Sequence, residues 1–184
     1  MPRRPRIDFA GFHHIVNRGV ARKEIIIMKE VLRRIEVTKR EKLTYLDLKG
    51  LDLQEIPKEL LEVSWIGALS LSENKISDIS LLSQMTNLHK LALTANNIED
   101  ISVLNGLSKL RFIFLANNLI TDISCLQSQE RLKKLVIHSN KLTFLPDLSH
   151  FPLMVYLDIC DNPLECPSFE DMQKMLPLLK IYKC

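Results

Sequence analysis

Residues 66–80 read IGALSLSENKISDIS, residues 88–102 read LHKLALTANNIEDIS, and residues 110–124 read LRFIFLANNLITDIS. Laid over one another, they share one frame, Leu-x-x-Leu-x-Leu-x-x-Asn-x-Ile-x-Asp-Ile-Ser. Extended in both directions, the frame starts at Leu43, Ile66, Leu88, Leu110, Leu132 and Met154, in steps of 23, 22, 22, 22 and 22 residues. A fixed period of this length means that each unit cannot bury its own apolar face and must stack on the next.

The parts of each unit have separate physical roles. The second and third anchors (Leu46 and Leu48, Leu69 and Leu71, Leu91 and Leu93, Ile113 and Leu115, Leu135 and Ile137, Leu157 and Ile159) alternate with other residues at period two. That is a strand with one buried face. Asn74, Asn96, Asn118, Asn140 and Asn162 recur at one position past the strand, where a side-chain amide can bond the backbone of its own and the neighbouring coil. Asp78-Ile79-Ser80, Asp100-Ile101-Ser102 and Asp122-Ile123-Ser124 follow, with short polar side chains suited to capping a tight turn. A coil of 22 residues has room for a short 3₁₀ piece rather than a full helix.

These motifs, over about residues 43–164, resemble the leucine-rich-repeat family, in the 22-residue form found in internalins and the nuclear phosphatase-regulatory subunits. The resemblance implies an α/β solenoid: a curved parallel sheet on the concave side, short 3₁₀ or helical turns on the convex side, and helical caps. The first unit departs from the frame with Leu51 in place of Asn, and the fifth with Phe144-Leu145-Pro146 in place of Asp-Ile-Ser.

Four segments are expected: a basic fragment over 1–28, a capping helix over 29–42, six repeats over 43–164 and a C-terminal cap over 165–184. Val31, Leu32 and Ile35 would lay the capping helix on the first coil. The stretch from Arg34 to Pro57 resembles the opening of bacterial Roco-type repeat proteins, but no Gly-rich phosphate loop with Lys-Ser/Thr is present. Asn162-Pro163-Leu164 and Leu176-Pro177-Leu178-Leu179-Lys180 resemble the C-terminal cap of intracellular repeat proteins.

Charge is divided unevenly. Residues 1–42 hold 12 Lys and Arg against 5 acids, a net +7, and the remainder is net −4. Pro2-Arg3-Arg4-Pro5-Arg6-Ile7 and His13-His14-Ile15-Val16-Asn17-Arg18-Gly19 resemble the start of REP-associated and related insertion-sequence transposases. Those enzymes nick single-stranded DNA with a tyrosine and a metal held by His-hydrophobic-His. The chain lacks that motif, so transposase activity is not expected. The resemblance leaves an alternative function, nucleic-acid binding through Arg3, Arg4, Arg6, Arg18 and Arg22.

Composition narrows the classes further. With 46% hydrophobic and 26% charged residues, the chain reads as an ordinary globular protein. It has no apolar run long enough to cross a bilayer and no apolar stretch behind its basic start to make a secretory signal. Cys125, Cys160, Cys166 and Cys184 show no metal-knuckle spacing, and reduced thiols in a cytoplasmic monomer are expected. No catalytic constellation emerges: Cys160 and His138 fall on adjacent coils, but no third group orients the imidazole. No cofactor and no metal site are expected.

The expected function is therefore a non-enzymatic scaffold that holds a protein partner on the concave face. The outward strand positions read Tyr45, Ala68, Lys90, Phe112, Lys134, Tyr156 in one column and Asp47, Ser70, Ala92, Phe114, Val136, Asp158 in the next. Phe112, Phe114, Val136 and Tyr156 form an aromatic patch rimmed by Lys90, Lys134 and His138, with Tyr45 in the same column. Aromatic anchors ringed by polar groups are the composition of a binding hot spot.

Overall fold

The computed structural model describes the chain from residue 18 onward, and its side chains from residue 23. The described residues open with helix α1, Arg18–Arg40, followed by strands β1 (Tyr45–Asp47), β2 (Ala68–Ser70), β3 (Lys90–Ala92), β4 (Phe112–Phe114), β5 (Lys134–Val136) and β6 (Tyr156–Asp158). A short helix α2, Phe169–Met175, and a last strand β7, Ile181–Lys183, complete it. All seven strands are parallel and lie in sequence order in one sheet. Four 3₁₀ turns, Lys58–Val63, Ser80–Gln84, Ser102–Gly106 and Ser124–Ser128, carry the return path. The fifth coil, where Phe144-Leu145-Pro146 breaks the signature, returns without one. This is the curved solenoid that the period implied.

The anchors behave as the alternation requires. Leu91, Leu93, Leu110, Ile113, Leu115, Leu132 and Leu135 are fully buried, and Ile76, Ile98, Ile120 and Leu142 close the core from the return side. Each Asn side chain ties two coils. Asn96 Nδ2 donates to Leu71 O and Leu93 O, both at 3.0 Å, while its Oδ1 accepts from Ile76 N at 3.0 Å. Asn118 and Asn140 repeat the pattern one coil further on. Every polar atom of these buried amides is used, so the turn can be desolvated without loss.

The residue before each Asn takes a left-handed conformation: Glu73, Ala95, Asn117, Ser139 and Asp161 have φ between 54° and 58°. In the first coil Gly50 adopts the same bend with φ 68°, so the backbone keeps its turn although Leu51 replaces the Asn. Asp78, Asp100 and Asp122 each accept a hydrogen bond from the backbone N–H two residues on, at Ser80, Ser102 and Ser124 (2.7–2.8 Å). Those bonds hold the Asp78 and Asp100 carboxyls below the usual carboxylate range, and at Asp122 the Ser124 hydroxyl, then the same backbone bond, does so.

One interior position is not apolar. Val63, Met85, Leu107 and Phe151 fill equivalent places after their turns, but Gln129 stands there in the fourth coil, fully buried. Its Nε2 donates to Leu104 O at 2.6 Å, while Oε1 has no partner.

Three features differ from the sequence reading. The capping helix covers Arg18–Arg40 rather than 29–42, so it runs through the boundary drawn at residue 28. Ile27, Val31, Ile35 and Thr38 recur at helical spacing and pack inward, whereas Leu32 stays 41% exposed. Spacings of four, four and three put the first set on one stripe. Leu43 N donates to Thr38 O through left-handed Lys42 (φ 49°), which ends the helix.

The second difference is at the other end. The cap is not only helical: β7 extends the sheet beyond the six expected strands, pairing Ile181 with Tyr156 and Lys183 with Asp158. Met172 and Leu176 of the cap are buried, while Phe169 and Met175 remain exposed. The third difference follows from it. Cys166, before α2, and Cys184, after β7, come within 5.8 Å at Cα and form a disulfide. Residues 18 apart in sequence meet because the helix and strand fold back on the last coil. The expectation of four reduced thiols is thereby corrected, and with it one support of the cytoplasmic expectation. Cys125 and Cys160 are free.

Candidate functional site: the concave face

The strand register places the two outward columns as the alternation requires. Lys90 pairs with Phe112 and Phe112 with Lys134, then Lys134 with Tyr156; beside them Ala92 pairs with Phe114 and Phe114 with Val136. Phe112, Phe114, Lys134, Val136 and Tyr156 are half-buried and Lys90 is exposed. Inward neighbours Ile113, Leu115 and Leu135 fix the backbone beneath them.

Lysines and rings alternate across this surface. The Lys90 amine lies 5.8 Å from the centre of the Phe114 ring, and Lys134 lies 5.5 Å from the same ring. Lys134 also stands 3.8 Å from the centre of Tyr156, and Lys183 stands 5.8 Å from it. A cation over an aromatic face is attracted by the ring quadrupole. The rings thus hold the ammonium groups against the sheet without neutralising them. Among the described residues, neither Lys90 nor Lys134 has a carboxylate partner; Lys183 reaches Asp158 at 3.5 Å. The Tyr156 hydroxyl donates to Asp158 Oδ2 at 3.4 Å. Contact with the Tyr156 hydroxyl, then the negative charge of Asp158, raises the pKa of the Lys183 amine.

Not every expected residue joins the cluster. Tyr45, 57% exposed, stands on β1, three strands from Phe112. His138 lies just past β5, where its Nδ1 is 3.1 Å from Ser139 Oγ, and that hydroxyl donates to Asp161 Oδ2 at 3.3 Å. The network does not include the Cys160 thiol, which is pushed up by burial and by the neighbouring Asp158 carboxylate. A thiol shifted upward is a poor nucleophile. Lys183 was missed by the sequence reading because it sits on the seventh strand.

The alternative basic site divides at the edge of the described residues. Arg3, Arg4 and Arg6 lie outside them, and Arg18 and Arg22 belong to α1 with side chains not described. The described cations of α1 are largely engaged within the chain. Arg33 and Arg34 share Glu30 (2.8 and 2.7 Å), Lys39 meets Glu62 (2.7 Å) and Arg40 meets Glu41 (2.9 Å). Lys23 pairs with Asp52. Among the described residues no group of three or more His, Cys, Asp or Glu side chains is placed to hold a metal ion. No helix among them is long and apolar enough to cross a membrane.

The fold is a leucine-rich-repeat solenoid. Residues 68–106 match the family model described as leucine-rich repeats, two copies. Among solved structures, a leucine-rich-repeat protein of Leptospira interrogans is similar at 27% identity over 71% of this chain and 34% of that one, with a TM-score of 0.64. Internalin C2 of Listeria monocytogenes is similar at 25% identity over 75% of this chain and 60% of that one, with a TM-score of 0.63. The plant peptide hormone receptor RGFR1, in complex with RGF2, is similar at 26% identity over 66% of this chain and 21% of that one, with a TM-score of 0.58. The chain thus spans about a third and about three fifths of the lengths of the first two. No curated protein sequence matches it significantly.

Proposed function

We propose that this chain is a non-enzymatic binding module that holds a protein partner on its concave sheet, centred on Phe112, Phe114, Val136 and Tyr156 with Lys90 and Lys134 between them. The observation that carries the reading is the unpaired lysine–aromatic cluster on β3–β6. Rings clustered on the solvent side of a sheet, with charges that no carboxylate among the described residues neutralises, are poised to exchange water for a partner. The similar receptor RGFR1 is a peptide hormone receptor seen with RGF2, which supports peptide or protein recognition as the class. The basic head is a weaker candidate because its described cations serve internal ion pairs.

Affinity capture with the full chain, run beside a Phe112→Ser/Phe114→Ser variant, tests the reading. Loss of the captured protein in a folded variant is the expected result. Unchanged capture would move the binding surface off the concave sheet.

A further inference from the structure

The spacing of the lysines on the concave face carries more than a general affinity for protein. Lys90 and Lys134 occupy one column of the sheet, two strands apart. Parallel strands lie about 4.8 Å apart, so two spacings are about 9.6 Å. Lys183 is two strands further on, in the next column, and leans back towards Tyr156 of the first column, with its amine 5.8 Å from that ring's centre. The cations therefore recur at every second strand along the solenoid axis.

A polyproline-II chain rises about 3.1 Å per residue with three residues per turn, so every third side chain returns to the same face after about 9.3 Å. The strand spacing beneath the lysines and the polyproline-II repeat are thus of the same size, at about 9–10 Å. We infer that the concave face takes an extended acidic peptide lying along the solenoid axis, with carboxylates at every third position over Lys90 and Lys134. The inference rests on the concave-face reading and specifies its ligand. Lys183 contributes less, because Asp158 already neutralises part of its charge.

The surroundings agree in sign. Arg111 and Lys133 stand exposed immediately before β4 and β5, and neither has an ion-pair partner among the described residues. Of the strand positions facing the groove, only Asp47 at the first strand and Asp158 at the sixth are acidic. Single-stranded nucleic acid is also anionic, but a base stacks on an open ring face. Here amines stand 5.5 Å from the centre of Phe114 and 3.8 Å from that of Tyr156. Those amines instead offer charge-assisted hydrogen bonds to carboxylates.

Fluorescence anisotropy of the full chain tests this with three labelled probes of equal charge. One peptide carries glutamate at every third position with proline between, a second carries the same number of glutamates at every second position with proline filling it to the same length, and the third probe is oligothymidylate. The first peptide is expected to bind at least tenfold tighter than the second. Lys90→Ala and Lys134→Ala should each weaken it at least fivefold, and Lys183→Ala less, with thermal melts confirming that each variant folds. Equal binding of the two peptides, or indifference to Lys134→Ala, overturns the inference. Tighter binding of oligothymidylate overturns it in favour of nucleic acid. If no peptide binds while Phe112→Ser/Phe114→Ser still abolishes capture, the acidic ligand is wrong and the concave surface stands. If that variant also keeps its capture, the concave surface itself is wrong.

Discussion

The Lys134 ammonium stands 3.8 Å from the centre of the Tyr156 ring, on the strand beside its own. At that distance the ring current acts directly on the end of the lysine chain. Tyr156→Leu should therefore move the Lys134 Hε resonances downfield towards random-coil values and cost about 0.5–1 kcal/mol, the size of an exposed cation–π pair. Tyr156→Phe keeps the ring and should keep the shift. An unshifted lysine in the wild-type protein would mean that the amine does not rest there.

The interior has a defect that substitution can repair. Gln129 occupies a core position that Met85, Leu107 and Phe151 fill in other coils, and its buried Oε1 has no partner. An unsatisfied buried acceptor costs about 1–3 kcal/mol. Gln129→Met forfeits the bond to Leu104 O, but that carbonyl still accepts from Leu107 N at 3.0 Å. The variant should be more stable by about 1 kcal/mol, read as a higher denaturation midpoint at constant slope. A lower midpoint would show that the amide bonds outweigh the orphaned oxygen.

Acid should loosen α1 from the first coil. Hydrogen bonds from Lys23 and Lys75 hold the Asp52 carboxyl down at about 2, below its ordinary 3.8. A depressed carboxylate adds stability above the unfolded value, and this contribution is lost as pH falls through the folded one. The window is therefore between about pH 4 and pH 2. Asp52→Asn should flatten the stability profile there, lowering stability near pH 7 and making little difference near pH 2, and added salt should shrink the difference, since the lysine partners are exposed. Melting curves across that range, with and without the substitution, check it.

The solenoid was legible in the sequence because its code is repetitive. Leu91, Ile113 and Leu135 announce the buried face, and one column of Asn announces the turn. The register of the concave columns followed from the same alternation. The ends were harder for a physical reason: caps are single events, with no second copy to align. Leu176-x-x-Leu179-x-Ile181 even fits the frame at 22 residues beyond Met154. Yet β7 pairs Ile181 with Tyr156 and Tyr182 with Leu157, 25 residues on, because α2 takes up extra chain. Lys183 and the Cys166–Cys184 bond both depend on that shifted strand. The helix was read short because, among the described side chains, only Ile27 and Met28 extend its stripe below Val31, while Ile25 and Ile26 are exposed.

The disulfide should stabilise the C-terminal cap in particular. It closes a loop of 18 residues, and removing a cross-link over a loop of that length costs about 3 kcal/mol by the chain-entropy argument. Neighbour-coupled stacking predicts that the loss begins at the end of the array and weakens towards the middle. Cys184→Ser, or reduction of the wild-type protein, should speed amide exchange in β7 and β6 before β2–β4 respond. The Cys184→Ser variant should be insensitive to reductant. Uniform loss of protection along the solenoid would show that the cap is not a separable unit.

The concave rings give the prediction that separates surface from core. Phe112 and Phe114 point outward from a strand whose inward residues, Ile113 and Leu115, are fully buried. Both rings are half-buried against their neighbours, so changing them to Ser removes some packing but leaves the anchors in place. Folding stability should fall by no more than about 1–2 kcal/mol, within the range of ordinary single substitutions. Binding should fall by at least about 2 kcal/mol if the rings anchor a complex. Leu115→Ala is the control from the other face of the strand. It opens a cavity costing about 2–5 kcal/mol of stability but leaves the ring surface chemically unchanged. Denaturation and affinity measured on both variants should therefore cross over, with the double Ser variant losing mainly binding and Leu115→Ala losing mainly stability. Parallel losses in the two would mean that the rings serve the fold, and the concave patch would no longer be the place to look for the partner.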